Sequence, residues 1–216
     1  ARAGALTART VPVGLLDAAA RTVPGATPFM TLLTAWTRVL HRHSGRPEII
    51  VGSPAATRDR AELAGVVGCF VNALPLRLAP GATATTADLL AQVRDRVLKA
   101  YEHARFPYDI TVTELVDRPP RGRRPVYDAG LSWEFSERAT DGWEFLQVPP
   151  EQLPLTDDLR IYATARDGLL RLELVHDPAL FTPDTAAALL DEVVDTLTAH
   201  DRWHTDTADT AGSVRP

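Results

Sequence analysis

"VVGCFVNALPLR", residues 66–77, begins and ends as an apolar β-strand but carries an amide, Asn72, in its middle and a proline, Pro75, three residues later. Side chains alternate along a strand, so Phe70, Asn72 and Leu74 share one face and Cys69, Val71 and Ala73 the other. A buried amide must find hydrogen-bond partners. Pro75 has no N–H to give a neighbouring strand, which confines the segment to a sheet edge or a bulge. The expectation is an edge strand whose Asn72 ties down nearby backbone. Cys69, the only cysteine, lies between Gly68 and Phe70 in this apolar run and is expected to be a packed core thiol, with no intrachain disulfide possible.

Outward from this stretch, strands and helices alternate. Residues 5–12 read as a short strand and 13–22 as a helix stopped by Pro24-Gly25. Thr27 caps the next helix with Pro28 in its first turn, and Phe29, Leu32, Leu33, Trp36, Val39 and Leu40 recur at helical spacing until Gly45 ends it. Residues 48–54 form an apolar strand. A long helix from Thr86 turns Leu89, Leu90, Val93, Val97 and Tyr101 inward, Pro107 breaks it, and Asp109 is placed to cap a shorter helix. Residues 117–125, rich in Pro and Arg, read as a solvated loop.

The last third is strand-rich. Residues 126–135 and 143–148 are expected strands, and 159–175 is a hairpin around Asp167-Gly168, a strong turn signal. A final helix starts at Thr182-Pro183, and the polar residues 201–216 read as a loose tail after a folded unit spanning 1–200. This order predicts an α/β fold: a two-layer sandwich of a mixed β-sheet with helices packed on it. Trp36 is assigned to the core and Trp143 to surface packing.

Composition narrows the function classes. A net charge of −5 argues against a nucleic-acid binder. No stretch has the run of apolar residues that a membrane span needs, and the N-terminus lacks a signal peptide's basic-then-apolar pattern. The chain is expected to be soluble and cytoplasmic. Lys99 is the only lysine among 23 basic residues, which with the many alanines reads as GC-rich codon bias.

Spacing alone defines no active site. His41 and His43 stand two apart near a helix end, so they point apart and cannot chelate one metal. No nucleophile elbow, phosphate loop, HExxH, CxxC or dinucleotide fingerprint is present. The catalytic and metal-ligand sets read from this chain are both empty.

Residues 49–78, "IIVGSPAATRDRAELAGVVGCFVNALPLRL", resemble the VGTPVAGR…IGxFVNTLPLR segment of nonribosomal peptide synthetase condensation domains. "HARFPYD" (103–109) is similar to that family's HQDxPFE, and "RGRRPVY" (121–127) to its SRNPLF, with Pro125 and Tyr127 in place. The resemblance runs from about residue 5 to residue 199. Departures occur at Thr57, which replaces Gly, at Ala104 and Arg105, which replace Gln and Asp, and at Gly122 and Arg124, which replace Ser and Asn. Thr156-Asp157-Asp158 also lacks the lysine often found there.

The family's catalytic HHxxxDG, which belongs to the N-terminal half of a domain about twice as long, is absent, and the chain has no His-His pair. The resemblance therefore implies the C-terminal lobe, one of two chloramphenicol-acetyltransferase-like halves that form a V around a substrate tunnel. It implies partners as well, the N-terminal lobe and peptidyl carrier proteins. It implies no directly bound cofactor, because substrates arrive tethered to phosphopantetheine. Arg58, Asn72, His103 and Trp133 are the residues it places at the tunnel or the lobe interface. Gly68, Phe70, Pro107 and Pro125 are its structural motif positions.

For Arg58 the open alternatives are a substrate or aspartate partner and a surface salt bridge. For His103 a structural bond to a loop end is set against catalysis, and for Trp133 tunnel lining against core packing. Asn72 is set between backbone satisfaction and substrate contact. Three functions come into question. One is the C-lobe of an amide-forming enzyme, a second is a non-catalytic module recruiting carrier proteins or tailoring enzymes, and the third is a self-sufficient acetyltransferase. The last needs its own HHxxxDG, and His176-Asp177 does not supply it.

Overall fold

Threonines start the three long helices by the same chemistry. The computed structural model describes residues 4–58, 60–81, 84–118, 124–135 and 155–205. Thr27 Oγ1 accepts from the Met30 N–H at 3.3 Å and opens α2 (Pro28–Ser44), which closes on Gly45 in the left-handed conformation at φ 62°. Thr85 and Asp88 form a reciprocal capping box at the start of α3 (Thr86–Glu102). Those bonds from Thr85 hold the Asp88 carboxyl below the usual carboxylate range. Thr182 accepts from the Thr185 N–H at 3.2 Å and caps α5 (Pro183–Thr198). Among the described residues there are also two shorter helices, α1 (Gly14–Ala20) and α4 (Tyr108–Leu115).

The strands are β1 (Ala5–Pro12), β2 (Ile49–Ala56), β3 (Val71–Leu78), β4 (Ala129–Phe135), β5 (Leu159–Arg166) and β6 (Leu169–His176). They form one six-stranded mixed sheet in the order β1-β6-β5-β4-β2-β3. The pairs β1/β6, β5/β6 and β2/β3 are antiparallel, while β2/β4 and β4/β5 are parallel. Asp167 and Gly168 both have positive φ, 51° and 79°, as the tight β5–β6 hairpin turn requires. That turn sets the register in which Ile161 faces Leu174 and Ala163 faces Leu172.

One sheet face is covered by α1, α2, α3 and α5, whose Leu16, Trp36, Leu90 and Leu190 pack on Leu131, Ile161 and Leu172. The other face is covered differently. Helix α4 reaches only its β2–β3 end, where Tyr108, Val112 and Tyr127 pack on Ile50 and Ala73. Strand alternation puts Ser132, Glu134, Arg160 and Tyr162 on this second face.

Pro75 lies on β3, an edge strand as expected. Several expectations are corrected. The strand read over 66–77 begins only at Val71, and Cys69 is exposed, because residues 66–70 leave the ladder as a loop. Asp109 does not cap α4; Pro107 occupies that position without a side-chain bond. Tyr101 points outward, 49% exposed, because α3 meets the core through Leu89, Leu90, Val93 and Val97. The strand read from 126 starts at Ala129, since Val126 sits at φ 82°, outside β geometry. Trp203 is 1% exposed and its indole N–H donates to the Thr196 carbonyl at 2.9 Å, so packed structure continues past residue 200. The strand expected over 143–148, Trp143, and most of the Arg-rich loop lie outside the described residues.

Candidate functional site

Asn72 uses both ends of its amide. Nδ2 donates to the carbonyls of Ala104 at 2.8 Å and Phe106 at 2.7 Å, and Oδ1 accepts from the Tyr108 N–H at 3.0 Å. The α3–α4 connection is thus pinned to edge strand β3. Pro107 lies inside this knot at φ −63°, as the N-cap of α4, and its carbonyl accepts from Ile110 N–H at 3.2 Å. The Tyr108 hydroxyl donates to the Pro125 carbonyl, which joins the second and third motif segments. Burial pushes the Tyr108 phenol up to about 12. Tyr127 stacks at a tilt against Tyr108, with ring centroids 5.8 Å apart. A Cβ on Gly52 would overlap the Tyr127 ring, so glycine there lets the ring pack directly against the strand.

Arg58 is committed to the loop that follows it. Its guanidinium donates to the carbonyls of Leu63, Val66 (2.6 Å) and Gly68 (3.4 Å) and lies over the Phe70 ring at 4.1 Å. Thr57 adds two bonds to the Phe70 carbonyl, from N–H at 2.7 Å and from Oγ1 at 2.9 Å. Among the described residues Arg58 forms no ion pair, and its donors go to backbone carbonyls. Gly68 contributes its carbonyl rather than a special conformation, having ordinary φ and room for a Cβ. The loop presents Val66 and Val67 to solvent, Val67 fully.

His103 ends α3 with its side chain exposed, and its backbone rather than its imidazole makes the loop bonds, to Ala100 and Phe106. Trp133 is partly buried and packs against the helix-side core. The four tunnel or interface candidates therefore separate. Arg58 and Asn72 share the β2–β3 end with the His103 loop, and Trp133 stands two strands away on the core side.

A group around Arg160, a residue the sequence did not single out, lies on the second sheet face. Arg160 Nε donates to Asp157 Oδ2 at 2.5 Å and Nη1 to Ser132 Oγ at 2.9 Å, while Arg124 stands 3.6 Å from Asp157 Oδ1. The Asp157 side chain is 1% exposed and that of Arg160 13%. A Cβ on Gly130 would overlap the Arg160 guanidinium, so that group lies directly on the strand. Burial beside this group also raises the Tyr162 phenol. Period-two alternation in β5 marks Arg160 and Tyr162 only as facing away from the core, which reads as solvent. The chain itself does not show that an aspartate outside the strand buries against them.

Among the described residues no cluster of His, Cys, Asp and Glu could hold a metal ion, and no helix is long and apolar enough to cross a membrane. His176 is buried at the end of β6 beside Asp177, with no hydrogen-bond partner on either ring nitrogen among the described residues. No pair of adjacent histidines occurs in the sequence to act as base.

Residues 18–203 match the family model of the condensation domain. A plipastatin synthase of Bacillus subtilis is 34% identical over 163 residues, covering 74% of this chain and 4% of that protein. Bacitracin synthase 3 of Bacillus licheniformis is 30% identical over 176 residues, covering 80% of this chain and 3% of that protein. The X-domain from teicoplanin biosynthesis has the same fold, with a TM-score of 0.78 at 24% identity, covering 93% of this chain and 48% of that one. The starter condensation domain of rhizomide synthetase does too, with a TM-score of 0.75 at 19% identity, covering 98% of this chain and 49% of that one. The chain thus spans a few per cent of the curated synthetases it matches and about half of these solved domains.

Proposed function

The chain belongs to the condensation-domain family, and from that premise we propose that it is the C-terminal lobe of a nonribosomal peptide synthetase condensation domain. In this reading the amine on one carrier protein attacks the thioester carbonyl on another. The C–N bond forms, the C–S bond breaks, and the phosphopantetheine thiol leaves. A histidine of the N-terminal lobe positions or deprotonates the amine, and this lobe supplies tunnel wall and carrier-docking surface. The observation that carries the proposal is coverage: nearly the whole chain aligns with about half of each solved domain, while HHxxxDG occurs nowhere in its 216 residues.

Surface chemistry supports it. Val67, Val71, Phe106 and Ile110 are exposed large hydrophobics on β3, its neighbouring loops and the start of α4, beside the knot around Asn72. Apolar surface of this kind suits a protein contact. A second reading, a non-catalytic module recruiting carrier proteins or tailoring enzymes, is favoured by one observation. Ala104 replaces a motif glutamine and is 6% exposed, so it offers only its carbonyl, which Asn72 takes.

The test mixes this chain with the separately produced N-terminal half from the same synthetase. A one-to-one complex that quenches the binding of an apolar dye to the free chain supports the lobe assignment. A dye-silent monomer that ignores that half sinks it.

A further inference from the structure

We propose that a cleft at the starts of β2, β4 and β5 binds a small apolar amine. This cleft lies at the far end of β2 from Arg58 and from the Ala55–Asn72 pairing, so it is separate from the site above. Its volume is ≈ 420 Å³, within the range of small-molecule sites. Ile49 and Leu159 form a buried floor, with Val126 and Phe181 as half-exposed walls.

The charges in the cleft select the sign of the ligand. Glu48, Asp128 and Asp158 line it against one cation, Arg46. Glu48 is engaged with Arg77 at 2.5 Å. Asp158, 9% exposed, is engaged in an interaction of its own, whereas Asp128 is exposed and makes no side-chain hydrogen bond among the described residues. The Asp158 N–H donates to the Asp128 carbonyl at 2.8 Å, which fixes the two residues side by side. A carboxylate beside apolar walls attracts a cation more strongly than one in open water. Phe181 and Tyr127 are the aromatic side chains of the lining, and a ring within reach of an ammonium attracts it. A bare metal ion does not fit, since no described group of carboxylates, thiols or imidazoles is placed to coordinate one.

The wall is also held in place under strain. Val126 is a β-branched residue at φ 82°, a conformation that persists only where the surroundings enforce it. Here the Tyr108 hydroxyl holds the adjacent Pro125 carbonyl. Such strain concentrates at ligand-binding walls, and this one faces the cleft.

The experiment titrates the full chain with 2-phenylethylamine, its neutral isostere 2-phenylethanol and the anion 3-phenylpropionate, followed by amide NMR. The amine should give saturable shifts at Ile50, Val126, Asp128 and Leu159 and bind about tenfold more tightly than the alcohol. Asp128→Asn, an exposed and sterically matched change, should remove most of that preference while the spectrum stays native. Equal binding of amine and alcohol, tighter binding of the anion, or no shifts at these residues up to the solubility limit would overturn the proposal.

Discussion

Asn72 on β3 and Tyr108 at the start of α4, 36 residues apart in the chain, are joined by a hydrogen bond of 3.0 Å from the Tyr108 N–H to Asn72 Oδ1. The amide at the other end of the same side chain closes two more carbonyls, so one residue fixes the turn between two helices against a sheet edge.

Removing that side chain should therefore cost more than an ordinary partly exposed substitution. Asn72→Ala leaves one N–H and two carbonyls without their partner and should destabilise the fold by about 2 kcal/mol. Asn72→Asp should be at least as damaging at neutral pH, because a carboxylate cannot donate to the Ala104 and Phe106 carbonyls. Urea unfolding of the three proteins measures both.

Arg58 acts on a loop rather than on the core, so its loss should be local. Arg58→Ala should change global stability by less than about 1 kcal/mol yet make residues 59–70 a site of rapid proteolytic nicking. Arg58→Lys should not rescue, since a single ammonium cannot span the carbonyls of Leu63, Val66 and Gly68 and stack on Phe70. Limited proteolysis with mass mapping reads the result.

The pair Asp157–Arg160 should respond asymmetrically. Arg160→Met strands a carboxylate whose side chain is 1% exposed and should cost about 3 kcal/mol. The double variant Asp157→Leu/Arg160→Met should lose less than that single variant, because an apolar pair carries no unpaired charge. A double-mutant cycle by thermal unfolding checks the sign.

His176 should give the fold an acid-sensitive end. Burial pushes its imidazole below the ordinary 6.5, against weaker opposing influences from the Leu174 backbone, which approaches without hydrogen-bond geometry, and from Asp177. The unfolded chain then takes a proton first as the pH falls. Stability from this residue is complete above 6.5 and declines below it until the native imidazole also protonates. The urea midpoint should drop between about pH 8 and about pH 5, and His176→Leu should shrink that drop.

Much of this architecture is legible in the chain because local chemistry decides it. Thr27, Gly45, Thr182 and Asp167-Gly168 each satisfy or turn backbone within a few residues, and each does so here. Pro75 announces an edge strand because it removes a donor. The partners of Asn72 are another matter: alternation requires them but cannot name residues more than thirty positions away. Cys69 departs from its expected burial for a related reason. An apolar run reads as buried strand, but the carbonyls of Leu63, Val66 and Gly68 turn to Arg58 instead of a neighbouring strand, and the run loops outward. Asp157 and Arg160 stand three positions apart, but their spacing does not tell that Gly130, on a different strand, leaves room for the guanidinium. Long-range polar partners leave no period in the sequence.

The lobe assignment is tested most directly by amide formation between two carrier proteins, one loaded with a donor thioester and one with an amine, in the presence of this chain, its N-terminal half, or both. Product is expected only when both halves are present, with the rate falling when the chain carries Asn72→Ala. Product formed by this chain alone, or a stable two-half complex on active carriers that yields none, would contradict it.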